Sequence, residues 1–205
     1  MLEKKLLPIL SGRMPPDQAK TLLRKSSFIY ERLRCIANRE TKSRKKNILE
    51  NILPFISLYQ ALQETGLNKE QALEEMYAIT EQYTRDGMRK TYERAGKLPF
   101  FFPLFRKMFT TGLSCGSWKV TFLENNSEHF FYDITKCLWH DVCTQLGCPE
   151  LCPIFCHNDE INFVDVTPRL HFRRSQTLGE GGTCCDFRFY RHDPDALAAD
   201  PQKGR

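Results

Sequence analysis

The apolar positions of this chain follow two periods. Up to about Gly96 they recur every three or four residues, as on one face of a helix; from Trp118 they alternate, as on a half-buried strand. Pro15-Pro16-Asp17 signals the first helix, since proline in a first turn gives up no needed hydrogen bond. Leu22, Leu23, Tyr30, Leu33 and Ile36 share a face and predict a helix over about residues 17–38. Ile48, Ile52, Ile56, Tyr59 and Leu62 predict a second, kinked at Pro54 and ended by Gly66. Asn68 and Gln71 have capping-box spacing for a third, which Ala72, Leu73, Met76, Thr80 and Tyr83 carry toward Gly96.

Between the two regimes, Phe100, Phe101, Phe102, Phe105 and Phe109 place five of the fifteen phenylalanines in about ten residues. Such a cluster either plugs the helical front onto the remainder or forms an exposed patch for a partner or membrane surface. The plug is preferred, because a monomeric soluble chain rarely exposes a large apolar patch.

Trp118, Val120 and Phe122 then alternate with Lys119, Thr121 and Leu123, and a turn at Asn125-Asn126-Ser127-Glu128 returns the chain through His129 to Asp133 as a hairpin. A helix is expected over about residues 134–146, stopped by Gly147, and Pro149 opens another that reaches about Glu160. Strands from His171 to Leu178 and from Cys184 to Tyr190 flank Gly179-Glu180-Gly181-Gly182. Residues 191–205 have no apolar period and are expected to be a disordered tail. The predicted fold class is α+β, with a helical N-terminal half packed against a small antiparallel sheet that has helices of its own. It is read as a single domain over residues 1–190, mainly helical over 1–110 and carrying sheet and site over 111–190.

Composition changes this picture little. With 205 residues, 41% hydrophobic and 27% charged, the chain suits one core of ordinary type. No run approaches the roughly 18 apolar residues of a membrane span, and the opening MLEKKLLPILSGRM is too interrupted for a secretory segment. The expectation is a cytoplasmic protein without stable membrane insertion, its nine cysteines reduced. Of the net charge of +5, the excess lies in front: 21 basic against 12 acidic residues up to Lys107, then 9 against 13. The basic peak from Arg39 to Lys46 has no interleaved aromatic on which bases could stack, so it reads as a solvated interhelical segment, with no nucleic-acid partner. A homo-oligomer stays open.

The chemistry concentrates between Cys148 and Arg188, which hold five of the nine cysteines. On a helix Cys152, Cys156 and Asp159 stand four and three residues apart and project to one side, with His157 among them. A thiol beside a carboxylate can act as nucleophile with an acid–base partner, and equally can be a small buried apolar residue beside a helix-end acid. Strand alternation puts Arg174 on the same face as Leu170 and Phe172, where a guanidinium needs an anion, either Asp159 or a substrate carboxylate. It also sends Cys185 and Asp186 to opposite faces unless the strand bulges. Structural zinc is disfavoured, because Cys148, Cys152 and Cys156 have helical rather than knuckle spacing. Phosphate-loop, dinucleotide and Gly-x-Ser-x-Gly motifs do not occur.

Ile52 to Tyr59, Gly147-Cys148-Pro149-Glu150-Leu151, Phe155-Cys156-His157-Asn158-Asp159, Phe172 to Leu178 and Gly181 to Arg188 together resemble the L-2-amino-thiazoline-4-carboxylic acid hydrolase family. Cys156-x-x-Asp159 and Cys185-Asp186-Phe187 are the most specific parts of the resemblance. The chain departs from the family in its added Cys148, Cys152 and Cys184, and in Leu178-Gly179 where a Leu-Ala pair is frequent. The resemblance implies hydrolytic opening of a cyclic amidine or thiazoline ring, giving N-carbamoyl-L-cysteine, without a cofactor. On that basis Cys156 is assigned as nucleophile, Asp159 as proton donor and acceptor, Asp186 as a second acid–base or orienting group and Cys185 as reserve nucleophile. Arg174, as carboxylate anchor, Thr177 and His157 are assigned to the small-molecule substrate. The competing class is a non-catalytic sensor that binds a small ligand or metal at the same cysteines.

Overall fold

A computed structural model describes residues 2–192. The front of the chain is helical: α1 (Leu2–Ser11), α2 (Pro16–Leu33), α3 (Lys42–Asn47), α4 (Leu53–Glu64), α5 (Lys69–Thr84) and α6 (Lys90–Ala95). Helix α1 is an addition to the sequence reading; it buries Leu6, Ile9 and Leu10 against the bundle although Pro8 interrupts its pattern. The expected third helix is divided between α5 and α6 by a π turn, Arg85–Arg89. Its capping box forms, with the Gln71 amide on Asn68 Oδ1 at 2.9 Å and the Asn68 amide on Gln71 Oε1 at 3.0 Å. Pro54 lies in the first turn of α4, directly after another π turn, Ile48–Ile52, so the widened turn takes the place of a kink inside the helix. The basic run becomes the short α3, which has no buried residue.

The phenylalanine segment is α7 (Phe101–Leu113). Phe101, Phe102 and Phe105 are buried, and Phe105 packs edge-on to Phe189 with ring centroids 4.9 Å apart. At roughly 1.5–3 kcal/mol per buried ring, this contact surface is a major tie between helices and sheet. Phe100, Leu104 and Met108, one turn apart, stay exposed on the outer side.

The sheet contains β1 (Trp118–Asn125), β2 (His129–Cys137), β3 (Leu170–Arg173) and β4 (Cys185–Arg191), antiparallel throughout in the order β1-β2-β4-β3. Its buried face carries Phe130, Tyr132, Phe172, Phe187 and Phe189. Three expected boundaries are corrected. Helix α8 (Leu138–Gln145) starts after Cys137 rather than at Ile134, because Ile134 pairs with both Val120 and Cys185 and its backbone belongs to two ladders. Strand β3 stops at Arg173 instead of reaching Leu178, because the Ser175 and Gln176 amides donate to the Asp186 carboxylate rather than to a strand. Arg191, assigned to the tail, pairs with Leu170 as the last residue of β4; residues 193–205 lie outside the described residues.

Helix α9 (Cys152–Phe163), entered through a 3₁₀ turn at Pro149–Leu151, lies between the two apolar cores. Cys152, Ile154 and Phe155 belong to the helical cluster, whereas Phe163 joins the aromatic cluster on the sheet. It is therefore apolar on both sides, as a helix covered twice must be. No described helix is long and apolar enough to cross a membrane.

Candidate active site

Where α9 faces β2 and β4, the two cores leave a cavity of about 380 Å³. Cys156 and Asp159 from α9 line it together with Cys185 from β4, and Trp139, Phe155, Tyr132 and Phe187 supply apolar wall. A largely apolar recess with few converging polar groups is the usual form of a small-molecule site. The helical spacing read from sequence therefore puts thiol and carboxyl into one space, and the strand alternation delivers a second thiol opposite.

Arg174 locks this arrangement from behind. Its side chain is 4% exposed; Nη1 donates to Asp159 Oδ2 at 2.9 Å, and Nη2 to the Cys156 carbonyl at 3.0 Å and Glu160 Oε1 at 3.2 Å. The guanidinium also lies over the Phe187 ring, 5.5 Å from its centroid. Its anion is thus the internal carboxylate, and it does not line the cavity that Asp159 lines. Burial raises the Asp159 carboxyl to about 6 despite the opposing pull of Arg174. Although 35% of the Asp159 side chain is accessible, that surface opens into a protein-walled recess, which is why desolvation outweighs the ion pair.

The thiols form a line. Cys148 neighbours Cys143, Cys143 neighbours Cys152, and Cys152 neighbours Cys156, all four as free thiols. The neighbouring Cys152 thiol, then burial and the Asp159 charge, hold the Cys156 thiol far above the ordinary range. Burial pushes Cys185 up to about 12, and the Leu178 amide donates to its sulfur at 3.3 Å. Cys156 and Cys185 are accordingly protonated at rest. Among the described residues no three His, Cys, Asp or Glu side chains converge as a metal-holding group.

The remaining sequence candidates are not brought into this cavity. His157 stacks on Tyr77, its Nε2 2.6 Å from the phenol oxygen, with Nδ1 3.1 Å from Glu160. Thr177 caps the 3₁₀ turn Leu178–Glu180, accepting from the Glu180 amide at 3.1 Å, and its hydroxyl also reaches Cys156. Asp186 opens on a separate, more exposed cleft of about 490 Å³ beside Arg173, Arg188 and Tyr190. Burial works against its charge, but bonds from the Ser175 hydroxyl at 2.7 Å and from the Gln176 and Ser175 amides outweigh it and lower its pKa. Asp186 thereby pins the segment that carries Arg174. Sequence reasoning passed over two cavity residues, Asn158 and Asn162, whose spacing of four on α9 puts them on the side of Asp159.

Gly179 explains one departure from the family pattern. A β-carbon there would meet Cys156 Sγ at 2.9 Å, Cys152 Sγ at 3.1 Å and the Cys152 backbone at 3.3 Å, so both thiols and the absent methyl group compete for the same space. Gly179→Ala is expected to cost about 1–3 kcal/mol through overpacking. A companion Cys152→Ala should recover most of that loss in denaturant unfolding, since it lets Cys156 move aside; equal losses with and without Cys152 would contradict the shared-space account.

A profile of the L-2-amino-thiazoline-4-carboxylic acid hydrolase family matches residues 45–189, from before α4 to near the end of β4, and so includes α9 and all of the sheet except the last two residues of β4. Among curated proteins, none matches the chain. A match over more than two thirds of the residues, with the cavity inside it, supports one assignment: the chain belongs to the L-2-amino-thiazoline-4-carboxylic acid hydrolase family.

Proposed function

We propose that this protein opens a 2-amino-thiazoline ring by hydrolysis, with Cys156 as nucleophile and Asp159 as its proton partner. The observation that carries the reading is that both groups, one helical turn apart, line the same cavity while Arg174 fixes the carboxylate. Because Cys156 is held as a thiol, attack requires a base at the moment of bond formation. An Asp159 that titrates near 6 is ionised at neutral pH, yet acidic enough in its protonated form to return the proton.

In this scheme Asp159 takes the Cys156 proton as sulfur bonds to ring carbon 2 of the protonated substrate. The ring carbon–sulfur bond then breaks, and its sulfur receives the proton from Asp159. What remains is an isothiouronium group on Cys156 that carries the opened chain through nitrogen. Water, deprotonated by Asp159, adds to the same carbon. Cys156 leaves with the proton back from Asp159, and the second water proton goes to solvent. The net change adds one water and yields N-carbamoyl-L-cysteine with a free thiol. Arg174 and Asp186 act through Asp159 and the 174–177 segment, as positioning residues.

The test is incubation of the protein with L-2-amino-thiazoline-4-carboxylic acid, following ring loss and thiol release together. Equal rates of the two support the reading, and a folded protein that leaves the ring intact sinks it. Since Asp159 must be ionised to accept a proton, kcat should fall as pH drops through about 6. Asp159→Asn should remove that acid limb together with most of the activity; a limb that persists in this variant belongs to another group.

A further inference from the structure

Asn158 and Asn162 both line the cavity, and the side-chain oxygen of each is buried without a hydrogen-bond partner. Buried polar atoms are nearly always paired, and an unpaired amide oxygen is a standing cost that a donor would remove. These two flank Asp159, whose Oδ2 takes Arg174 while Oδ1 has no protein donor among the described residues. One stretch of α9 therefore carries three side-chain oxygens without protein donors among the described residues, the two amide oxygens being closed off as placed. A half-turn of either amide about χ2 exchanges its oxygen and nitrogen, and in the reading below this turn brings each carbonyl to the cavity without movement of the helix. No Lys, Arg or His lines this cavity among the described residues, and the carboxyl group on its lining is that of Asp159. The recess thus suits a planar cation with N–H groups and offers an anionic group no partner.

We infer that Asn158, Asn162 and Asp159 Oδ1 form the recognition face for a planar amidinium, and that Asn158 and Asn162 set the specificity of the site. The inference rests on the ligand-binding reading of this cavity and deepens it. A protonated 2-amino-thiazoline has three N–H bonds in one plane, one on the ring nitrogen and two on the exocyclic nitrogen, which matches three acceptors in number. Trp139, Phe155 and Tyr132 supply ring surface beside the cation. A carboxylate on the ring is then directed to the cavity mouth, away from Asp159. A ring of the same shape with methyl in place of the amino group would leave the acceptors unpaired.

The experiment is calorimetric titration of the full chain, at neutral pH, with 2-amino-2-thiazoline and separately with 2-methyl-2-thiazoline. The wild-type chain should bind the amino ring at least about tenfold more tightly, as loss of a charge-assisted hydrogen bond implies. Asn158→Leu and Asn162→Leu should each erase most of that preference, leave the methyl ring as well bound as before, and keep or raise Tm, since an unpaired polar group gives way to an apolar one of similar shape. The shorter Asn158→Ala and Asn162→Ala variants repeat the measurement where leucine does not fit. Unchanged preference overturns the inference, as does equal loss of both rings with a lowered Tm, the mark of a merely structural role. Wild-type KM for the carboxylated substrate in the Asn variants overturns the recognition and leaves the hydrolase reading standing. Asn-dependent binding without turnover upholds the recognition and sinks the hydrolase reading.

Discussion

Cys156→Ala is expected to lower ring opening by at least about a thousandfold, with the fold retained. The size of the effect follows from the order of events. If sulfur forms the first bond to ring carbon 2, its removal takes away the intermediate itself, whereas losing a positioning group only weakens a step. Cys185→Ala should keep more than about a tenth of the activity, because that sulfur already accepts from the Leu178 amide and stands across the cavity from Asp159's helix. Quenched samples of the wild-type chain should carry an adduct of one substrate mass on the peptide containing Cys156, absent from the alanine variant. Wild-type turnover by Cys156→Ala would assign the attack to water with Asp159 as sole base, and loss in Cys185→Ala alone would exchange the two thiols.

The site was legible in sequence where a local period fixes direction. Cys152, Cys156 and Asp159 share a side because a helix repeats every 3.6 residues, and Cys185 and Asp186 part because a strand repeats every two. Arg174 was recognisable as a guanidinium on an apolar face, and its partner is the internal carboxylate, one of the two anions the reading allowed. Direction did not extend to partners outside the local element. His157 belongs to a contact with Tyr77 of α5, eighty residues away, and Thr177 to a cap that exists only because β3 stops early. That early stop depends on Asp186, whose carboxylate takes amides that a longer strand would have spent on its ladder. The same limit explains Ile134 to Cys137, which stay in the strand because Lys136 and Cys137 pair with β1 and Ile134 pairs with both β1 and β4, contacts that no local period displays. The spacing of Asn158 and Asn162 gave their side of the helix but not their role, since an asparagine in a helix normally reads as a solvent-facing residue; what distinguishes them is an oxygen without a donor, which no sequence pattern displays.

Arg174→Met should destabilise the fold and displace the pH profile together. Breaking a fully buried ion pair costs about 3–5 kcal/mol; here about 2–3 kcal/mol is expected, because a third of Asp159 faces the cavity and Glu160 is half exposed. Methionine retains the stem that packs on Phe187, so the loss reports charge and hydrogen bonds rather than volume. The sign of the pH dependence separates this from ordinary core damage. Without the guanidinium, burial alone acts on Asp159, its folded pKa rises above the present value of about 6, and the ionised form becomes the costly one. Stability relative to the wild-type chain is then preserved at acid pH, where the carboxyl is protonated, and lost as pH rises through the new folded pKa. The acid limb of kcat should move the same way, to higher pH, because the base ionises later. Denaturant unfolding at pH 5 and pH 8 decides the matter: a deficit at pH 8 that shrinks at pH 5 identifies Arg174 as the group that keeps Asp159 ionised, and an equal deficit at both would reduce it to packing.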